Sequence, residues 1–293
     1  MAGSAPAIRI RSAQQYRKQQ IMFVGLAYAI LALIVCLSLY PVAQLVLNSF
    51  KSSGEINIHP SGMPREWTLE NYRFLFLEQG GLWHNFVNSV IVSVASTVSA
   101  VFLAALAAFA FAKYHFRGRD LIFALLLATI MVPSEITIPP LYLIFSKIGW
   151  LNTYQVQIMP TVISVFGLFM LRQYMLTVPN ALLDAARIDG ANHWQLFWRV
   201  AAPFAAPALG AFAILHFLGI WNSYLWPLIV APDPAFQPIM VVLPTLVDPH
   251  IGFLPIWGPI MAGCVLAVLP IVIIFIAFQD TFISGVVVGA VKE

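Results

Sequence analysis

The feature that most constrains the fold is a run from residue 19 to residue 50 that contains no charged side chain. A helix needs only about 20 apolar residues to cross a bilayer, and the run is too long for a signal-peptide core. Of the 293 residues, 60% are hydrophobic and 9% are charged, and the mean hydropathy is +0.86. No soluble domain of this length could bury so much apolar surface. The sequence therefore predicts an integral membrane protein.

Further apolar runs predict an all-α protein with six transmembrane helices. The second run is rich in Ala, Ser and Val, whose small side chains let helices approach closely in lipid. The third contains Pro133, Pro139 and Pro140, which lack N–H donors, so it is predicted to be bent or interrupted. The predicted spans are residues 19–50, 85–112, 121–145, 155–171, 207–230 and 255–278.

Lysine and arginine are distributed unequally between the two ends of these spans, which predicts the orientation. The richer side carries Arg9, Arg11, Arg17, Lys18, Lys113, Arg117, Arg119, Arg172, Arg187, Arg199 and Lys292, and the other carries Lys51, Arg65, Arg73 and Lys147. The richer side is predicted to be cytoplasmic. The chain then divides into a cytoplasmic segment 1–20, a six-span domain 21–278 with a cytoplasmic loop 173–206, and a cytoplasmic tail 279–293.

A charged and aromatic segment, residues 182–207, stands between two apolar spans. Its first helix is predicted to begin at Pro179, because proline is favoured at the first helical position. That helix should end at Gly190, where a residue without Cβ permits a sharp turn. Asn192 is predicted to cap a second short helix, residues 193–200. The segment is therefore interpreted as a helix-turn-helix.

Two sets of side chains in this segment suit contact with a partner protein. Trp194, Phe197 and Trp198 recur at three- and four-residue spacing, which predicts one apolar ridge. Asp184 and Asp189 are predicted near the starts of short helices or turns. There they would cap free N–H groups or pair with basic residues across an interface.

The segment resembles the EAA motif of permease subunits in binding-protein-dependent ABC importers, whose usual form is E-A-A-x-x-D-G-A followed by a proline. Asp184 stands where that motif has Glu, so a carboxylate is kept on a stem shorter by one methylene. In that family the loop docks into a groove on the ATPase subunit. The resemblance therefore implies that energy coupling depends on Asp184, Ala185, Ala186, Arg187, Asp189, Gly190, Trp194, Phe197 and Pro203.

The resemblance covers most of the chain, and the carbohydrate-uptake subset of the family fits best. Residues 221–224 read W-N-S-Y, similar to the W-N-x-[FY] of sugar-type permeases, and the closing GVVVGAVKE resembles the G-x-x-x-G-A-V-K-x of that subset. It implies the type I permease fold in a cell (inner) membrane and a sugar, oligosaccharide or polyol such as glycerol phosphate as substrate. It also implies three partners: a second related permease, two ATPase copies that bind ATP and Mg²⁺, and an external solute-binding protein.

Four residues are candidates for the solute path. Glu135 is the one acid deep in a predicted span, where an unpaired carboxylate costs at least about 2.5–3.5 kcal/mol. It either lines the path or, if the helix ends early at Pro133, lies near the outer surface. Trp221, Asn222 and Tyr224 offer aromatic faces and an amide that suit a sugar, although Trp and Tyr near an interface more often act as anchors.

Several function classes are excluded or disfavoured. The chain has no phosphate-binding G-x-x-x-x-G-K-[ST] loop, no dinucleotide fingerprint and no His pair at metal-ligand spacing, so it is expected to be neither an enzyme nor a metal protein and to bind no cofactor itself. A net charge of +3 is too small to suggest a nucleic-acid partner. The alternative is a secondary transporter driven by an ion gradient, which needs intramembrane acids or histidines, and Glu135 alone supports it.

Overall fold

The computed structural model describes residues 13–78, 82–247 and 256–290, and describes side chains between residues 20 and 279 of these ranges. Every regular element in those ranges is helical, as predicted. The α-helices are α1 (Ala13–Asn48), α2 (Ser53–Ile58), α3 (Glu70–Arg73), α4 (Leu82–Lys113), α5 (Arg119–Thr129), α6 (Ser134–Lys147), α7 (Tyr154–Ile158), α8 (Val165–Thr177), α9 (Asn180–Ile188), α10 (His193–Gln195), α11 (Ala202–Phe204), α12 (Ala206–Trp221), α13 (Leu225–Val230), α14 (Ile239–Val242) and α15 (Trp257–Ala290).

Among the described residues, three helices are long and apolar enough to cross a membrane by themselves. They are Gln20–Asn48, Leu82–Lys113 and Trp257–Gln279. Three helix pairs pass the same test only when each pair is taken as one bent span, with bends of 96°, 43° and 79°. The fold is thus an all-α membrane protein with three to six candidate spans. The first 12 residues, residues 248–255 and the last three lie outside the described residues.

The third predicted span is interrupted at one of its prolines and continuous at the other two. The 96° bend separates α5 from α6 at Pro133, which precedes the first residue of α6 and has extended backbone angles. Pro139 and Pro140 lie inside α6 without ending it, so the predicted break there is wrong. Because proline has no N–H, the carbonyls of Glu135 and Ile136 still lack their usual helical donors.

Two spans predicted as continuous are broken. The fourth bends by 43° after Pro160, and α8 restarts at Val165 with Ser164 as its cap. The fifth ends at Trp221 and resumes as α13. Since Pro227 lacks an N–H, the helical bond to the carbonyl four residues earlier is impossible there. The sixth helix, by contrast, runs beyond its predicted end and continues to Ala290.

Helix α4 is the centre of the described fold. It packs against α8 and α12, and α12 packs in turn on α15. Ala100, Ala104 and Ala108 of α4 are buried, and such small residues allow close helix approach. The contact between α8 and α12 is also close, because a Cβ on Gly167 would overlap the ring of Phe212. Helix α1 is different: the apolar stretch of this helix is entirely exposed, and it packs mainly on α15.

We expect Gly167→Ala to destabilise the protein by about 1–3 kcal/mol, because the added methyl group displaces the Phe212 ring from a close helix contact. Thermal unfolding in detergent measures the effect. Gly219→Ala is the matched control, since Gly219 lies in α12 and a Cβ there meets no atom within 4 Å. Equal melting temperatures for the two variants would contradict the proposed helix contact.

Candidate functional site

The helical hairpin formed by residues 180–204 contains the segment that resembles the EAA motif. Helix α9 ends in two hydrogen bonds: Gly190 N–H donates to the Arg187 carbonyl at 3.0 Å, and Ala191 N–H donates to the Ala186 carbonyl at 2.9 Å. This is the Schellman pattern, which needs a left-handed residue after the helix cap. Gly190 fills that place with a φ of +85°. The turn predicted at Gly190 is confirmed, and its geometry explains why glycine stands there.

The second arm of the hairpin begins as predicted and then departs from a regular helix. The Asn192 side chain accepts from Gln195 N–H at 2.9 Å, and the Gln195 side chain accepts from Asn192 N–H at 2.9 Å, forming a capping box. A π-helical stretch, Leu196–Ala201, follows, so the short helix predicted for residues 193–200 is present but is π-helical over most of its length. In the first arm, Pro179 precedes the helix as its cap instead of occupying its first position.

The two hairpin aspartates do not cap helix N–H groups. Asp184 lies inside α9 and pairs with Arg187, with 2.8 Å between carboxylate oxygen and guanidinium nitrogen. Asp189 is the residue that closes the C-terminus of α9. The expectation of N–H capping is therefore wrong for both. Each carboxylate is exposed, so pairing with a partner's basic residue stays a prediction.

The predicted aromatic ridge is split between the protein core and the surface. Phe197 is 2% exposed and packs on Phe109 at 5.7 Å between ring centroids. Trp194 and Trp198 are 53% and 47% exposed, and each lies 6.3 Å from the Phe102 ring. The prediction that Phe197 offers a knob to a partner is wrong, because that side chain anchors the hairpin to α4.

A different apolar side chain projects from the hairpin. Ile188, at the end of α9, is 86% exposed, whereas Leu183 on the opposite face is 2% exposed. Ala186 packs toward the core while Ala185 is exposed, and Pro203 is exposed close to the 79° bend into α12. The sequence analysis missed Ile188. The sequence did contain a signal for its exposure. Ile188 follows Leu183 by five residues, so the two side chains do not share the buried face of the helix.

Two side chains at the end of α4 hold the hairpin, and neither was predicted to do so. The Lys113 ammonium donates to the Val178 carbonyl at 2.6 Å and to the Asn180 side-chain oxygen at 3.1 Å. The Tyr114 hydroxyl and His193 Nδ1 are 2.7 Å apart. The sequence analysis used Lys113 only as evidence for the orientation of the chain in the membrane. Here it fixes the start of α9 to α4.

A cavity of about 410 Å³ lies where α4, α6, α7 and α13 meet, and we call it the polar cavity. Glu135 and Tyr224, both predicted for the solute path, line it. Glu135 is exposed in the first turn of α6, immediately after the break at Pro133. Polar side chains that line the cavity are Ser89, Ser93, Ser134, Glu135, Thr137, Gln157, Thr161, Ser223 and Tyr224.

Trp221 and Asn222, the other two residues predicted for the solute path, do not line this cavity. Trp221 is 1% exposed, stacks on Phe217 at 5.6 Å and donates from its indole to the Ala267 carbonyl at 3.0 Å. Asn222 caps α12 by donating from its amide to the Leu218 carbonyl at 2.8 Å. The interpretation of Trp221 as a sugar-stacking residue is wrong for this conformation, because α15 and its neighbours cover the ring.

Three amide side chains support the outer rim of the cavity and were missed by the sequence analysis. Asn85 donates to the Gln237 carbonyl at 2.8 Å, and Asn88 donates to the same carbonyl at 3.1 Å. Gln157 donates to the Phe236 carbonyl at 2.9 Å. They satisfy the backbone of an irregular connection. The sequence indicated this role only through the position of the three amides on one side of α4 and of α7.

The described residues contain no group of three His, Cys, Asp or Glu side chains placed to hold a metal ion. Cys36 and Cys264 are free thiols. As far as the structure describes them, the hairpin and the polar cavity therefore contain no metal-binding group of this kind.

Comparison with known proteins decides the family. Residues 100–288 match the family described as "Binding-protein-dependent transport system inner membrane component". The chain belongs to this family. It is thus an inner-membrane permease subunit of a binding-protein-dependent transporter and not an enzyme, as predicted. The family also decides against the alternative of an ion-gradient-driven transporter.

Individual relatives and a solved structure agree with this assignment. The permease is 37% identical to the arabinooligosaccharides transport system permease protein AraQ of Halalkalibacterium halodurans over 89% of this chain and 94% of that protein. It is 30% identical to the diacetylchitobiose uptake system permease protein NgcG of Streptomyces coelicolor over 92% and 89%. A crystal structure of a bacterial ABC transporter that imports the acidic polysaccharide alginate has the same fold, with a TM-score of 0.79, 21% identity and coverage of 90% and 98%.

We expect Lys113→Met to loosen the hairpin of this permease, because it removes two hydrogen bonds from a half-buried ammonium group. A loss of about 1 kcal/mol corresponds to roughly fivefold faster local opening. Amide hydrogen exchange over residues 180–190 measures it. Arg117→Met is the control, since Arg117 is exposed in the same basic loop. Unchanged exchange in Lys113→Met would show that the hairpin is held by its apolar contacts alone.

Proposed function

We propose that this permease forms half of the translocation path of an ATP-driven importer for a sugar, an oligosaccharide or a related polyol. The observation that carries the proposal is the exposed hairpin, whose Schellman turn presents Ile188 and Asp184 away from the core on a rigid support. The names of the relatives, which concern arabinooligosaccharides and diacetylchitobiose, support the substrate class.

The proposed topology has six spans with both termini in the cytoplasm. The bent pairs α5–α6 and α7–α8 each count as one span, and α12 is the fifth span, with the segment His193–Phe204 that bends into it left in the cytoplasmic loop. Segment 1–20 and tail 279–293 are cytoplasmic, and the six-span domain 21–278 carries the cytoplasmic loop 173–206. The charge asymmetry supports this orientation, because eleven of the fifteen Lys and Arg residues fall on the hairpin side.

In the proposed mechanism the hairpin binds a separate ATPase subunit. ATP and Mg²⁺ bind to that subunit, and closure of the ATPase dimer moves the hairpin as a rigid body. The anchors at Lys113 and Phe197 support this, since they join the hairpin to α4 through polar and apolar contacts. Asp184, Ala185, Arg187, Asp189, Gly190 and Trp194 are exposed and are the proposed contact residues. Pro203, the buried Phe197 and the half-buried Ala186 position them.

The proposed complex contains a second related permease, two ATPase copies and an external solute-binding protein in a lipid bilayer, and no nucleic acid. The external protein delivers the solute, and this chain contributes the polar cavity with Glu135 and Tyr224 to the path. Alternating access then means that the spans switch between inward and outward opening as the ATPases close and open.

For the topology, we expect Ser61→Cys to react with a membrane-impermeant maleimide in intact cells. His115→Cys should react only after permeabilisation. Both positions are exposed, and they lie on opposite sides in the proposed orientation. Cys36 and Cys264 are replaced by serine in both variants so that only the new thiol is labelled. The reverse labelling pattern would overturn the proposed orientation.

For coupling, we expect Gly190→Asp to reduce uptake and ligand-stimulated ATP hydrolysis by about tenfold or more in reconstituted liposomes. A residue with Cβ is strained at this φ by about 1–2 kcal/mol, and the added carboxylate projects into the docking surface. A Cβ on Gly190 meets no atom of this chain within 4 Å, so folding and membrane insertion should be preserved.

Gly62→Asp is the matched control for that experiment. Gly62 also has a positive φ, of +88°, and open space around its Cβ position, but it lies on the other side of the membrane in the proposed topology. The two variants therefore have the same backbone strain and the same added charge, and they differ in the side of the membrane on which the residue lies. Full stimulated hydrolysis and transport in Gly190→Asp would remove Gly190 from the coupling contact, and an equal loss in Gly62→Asp would show that strain alone is responsible.

A further inference from the structure

The charge that lines the polar cavity is negative only. Glu135 is the only charged side chain among the described residues that line it, and none of those residues is Lys, Arg or His. The hydroxyl of Ser134 donates to Glu135 Oε1 at 3.0 Å. The two ion pairs found among the described residues, Arg119 with Asp120 and Arg187 with Asp184, do not involve Glu135. The chain therefore presents an uncompensated carboxylate to this space.

The uncharged polar groups around the cavity are mainly hydroxyls, which both donate and accept, and they include one unpaired acceptor. Gln157 is 1% exposed, and while its amide nitrogen donates to the Phe236 carbonyl, its side-chain oxygen has no partner. A buried acceptor without a donor is unfavourable, so a hydroxyl from outside the chain that reached this oxygen would stabilise it. The Thr161 hydroxyl already donates to the Ile158 carbonyl at 2.7 Å, which leaves its oxygen as an acceptor.

These groups require donors from a solute and oppose a second negative charge. Two like charges close together repel more strongly beside a protein than in bulk water, because the surroundings screen them less. A neutral solute with several hydroxyl groups can instead donate to both Glu135 and Gln157, and hydrogen bonds to a carboxylate are among the stronger ones. A cationic group would be attracted as well.

We propose that the polar cavity is a solute subsite that accepts neutral or cationic polyhydroxyl compounds and rejects anionic ones, such as phosphorylated polyols or uronate oligosaccharides. Glu135 and Gln157 determine this specificity. The inference rests on the proposed function, because it takes the cavity to line the solute path. Within the range of sugars and polyols proposed above, it disfavours a glycerol phosphate and favours an uncharged oligosaccharide.

The test measures the electrostatic potential of the cavity in the complete importer in proteoliposomes. Ser223→Cys places a thiol on the cavity wall, in a chain whose Cys36 and Cys264 are replaced by serine. Cationic and anionic thiosulfonate reagents of matched size then react with this thiol, and the ratio of their rates reports the local charge. We expect Glu135→Gln to lower the cationic-to-anionic rate ratio at least about fivefold.

Three variants serve as controls. Glu135→Asp keeps the carboxylate and should therefore retain most of the original cationic-to-anionic rate ratio. Glu66→Gln removes an exposed glutamate outside the cavity and should leave the ratio unchanged. Tyr224→Cys provides a second cavity thiol if Ser223→Cys does not assemble. A ratio that Glu135→Gln leaves unchanged, or a thiol that neither reagent reaches, overturns the proposed subsite.

Ligand-stimulated ATP hydrolysis on the same liposomes separates this inference from the proposed function. Stimulated hydrolysis with an unchanged reagent ratio would overturn the subsite and leave the importer function standing. A changed ratio in a complex that no loaded binding protein stimulates would support the charge selectivity of the cavity and count against the importer function.

Discussion

The structure depends on one constraint, which is that backbone N–H and C=O groups shielded from water must be paired within the protein. Long helices meet it by themselves, but the connection between α13 and α14 is irregular. There the α4 side chain Asn88 donates to the Ala235 carbonyl at 2.9 Å, and Ser89 accepts from Ile239 N–H at 2.8 Å. Asn88 is held in turn by the Tyr154 hydroxyl, which donates to its oxygen at 2.6 Å. Polar side chains of α4 and α7 thus replace the missing helical bonds and allow the chain to leave regular structure.

The polar cavity lies where spans are interrupted, and this follows from the same constraint. Its lining includes Ser134, Pro160 and Pro227, each of which lies at a helix break or next to one. A proline removes one N–H, and the carbonyl that loses its partner becomes available to another donor. The Val156 carbonyl, for example, lies four residues before Pro160 and accepts from the Trp226 indole N–H at 2.9 Å. The breaks therefore create both the space and the acceptors in the membrane, at positions that an unbroken helix would fill with apolar side chains.

Sequence reasoning succeeded where a local rule determines the geometry. The turn at Gly190 and the N-cap at Asn192 depend on a few neighbouring residues, and the apolar runs locate the helices by composition. It failed where orientation about a helix axis matters. In a lipid-facing protein both faces of a helix are apolar, so periodicity does not distinguish the buried Phe197 from the exposed Trp198. It also failed for Trp221, because burial there depends on α15, which follows far later in the chain.

Helix α4 joins the two sites, and its rigidity gives a physical basis for coupling between them. Asn88, near its first turns, holds the rim of the polar cavity, and Lys113, at its last residue, holds the hairpin. An unbroken helix over this distance spans about 37 Å. Because no proline interrupts α4, and buried alanines along its middle pack closely on α8, it has little freedom to bend. In the proposed mechanism, a displacement of the hairpin would be transmitted to the cavity rim as movement of one rigid body, while the proline-broken helices on the other sides of the cavity would supply the freedom to open and close.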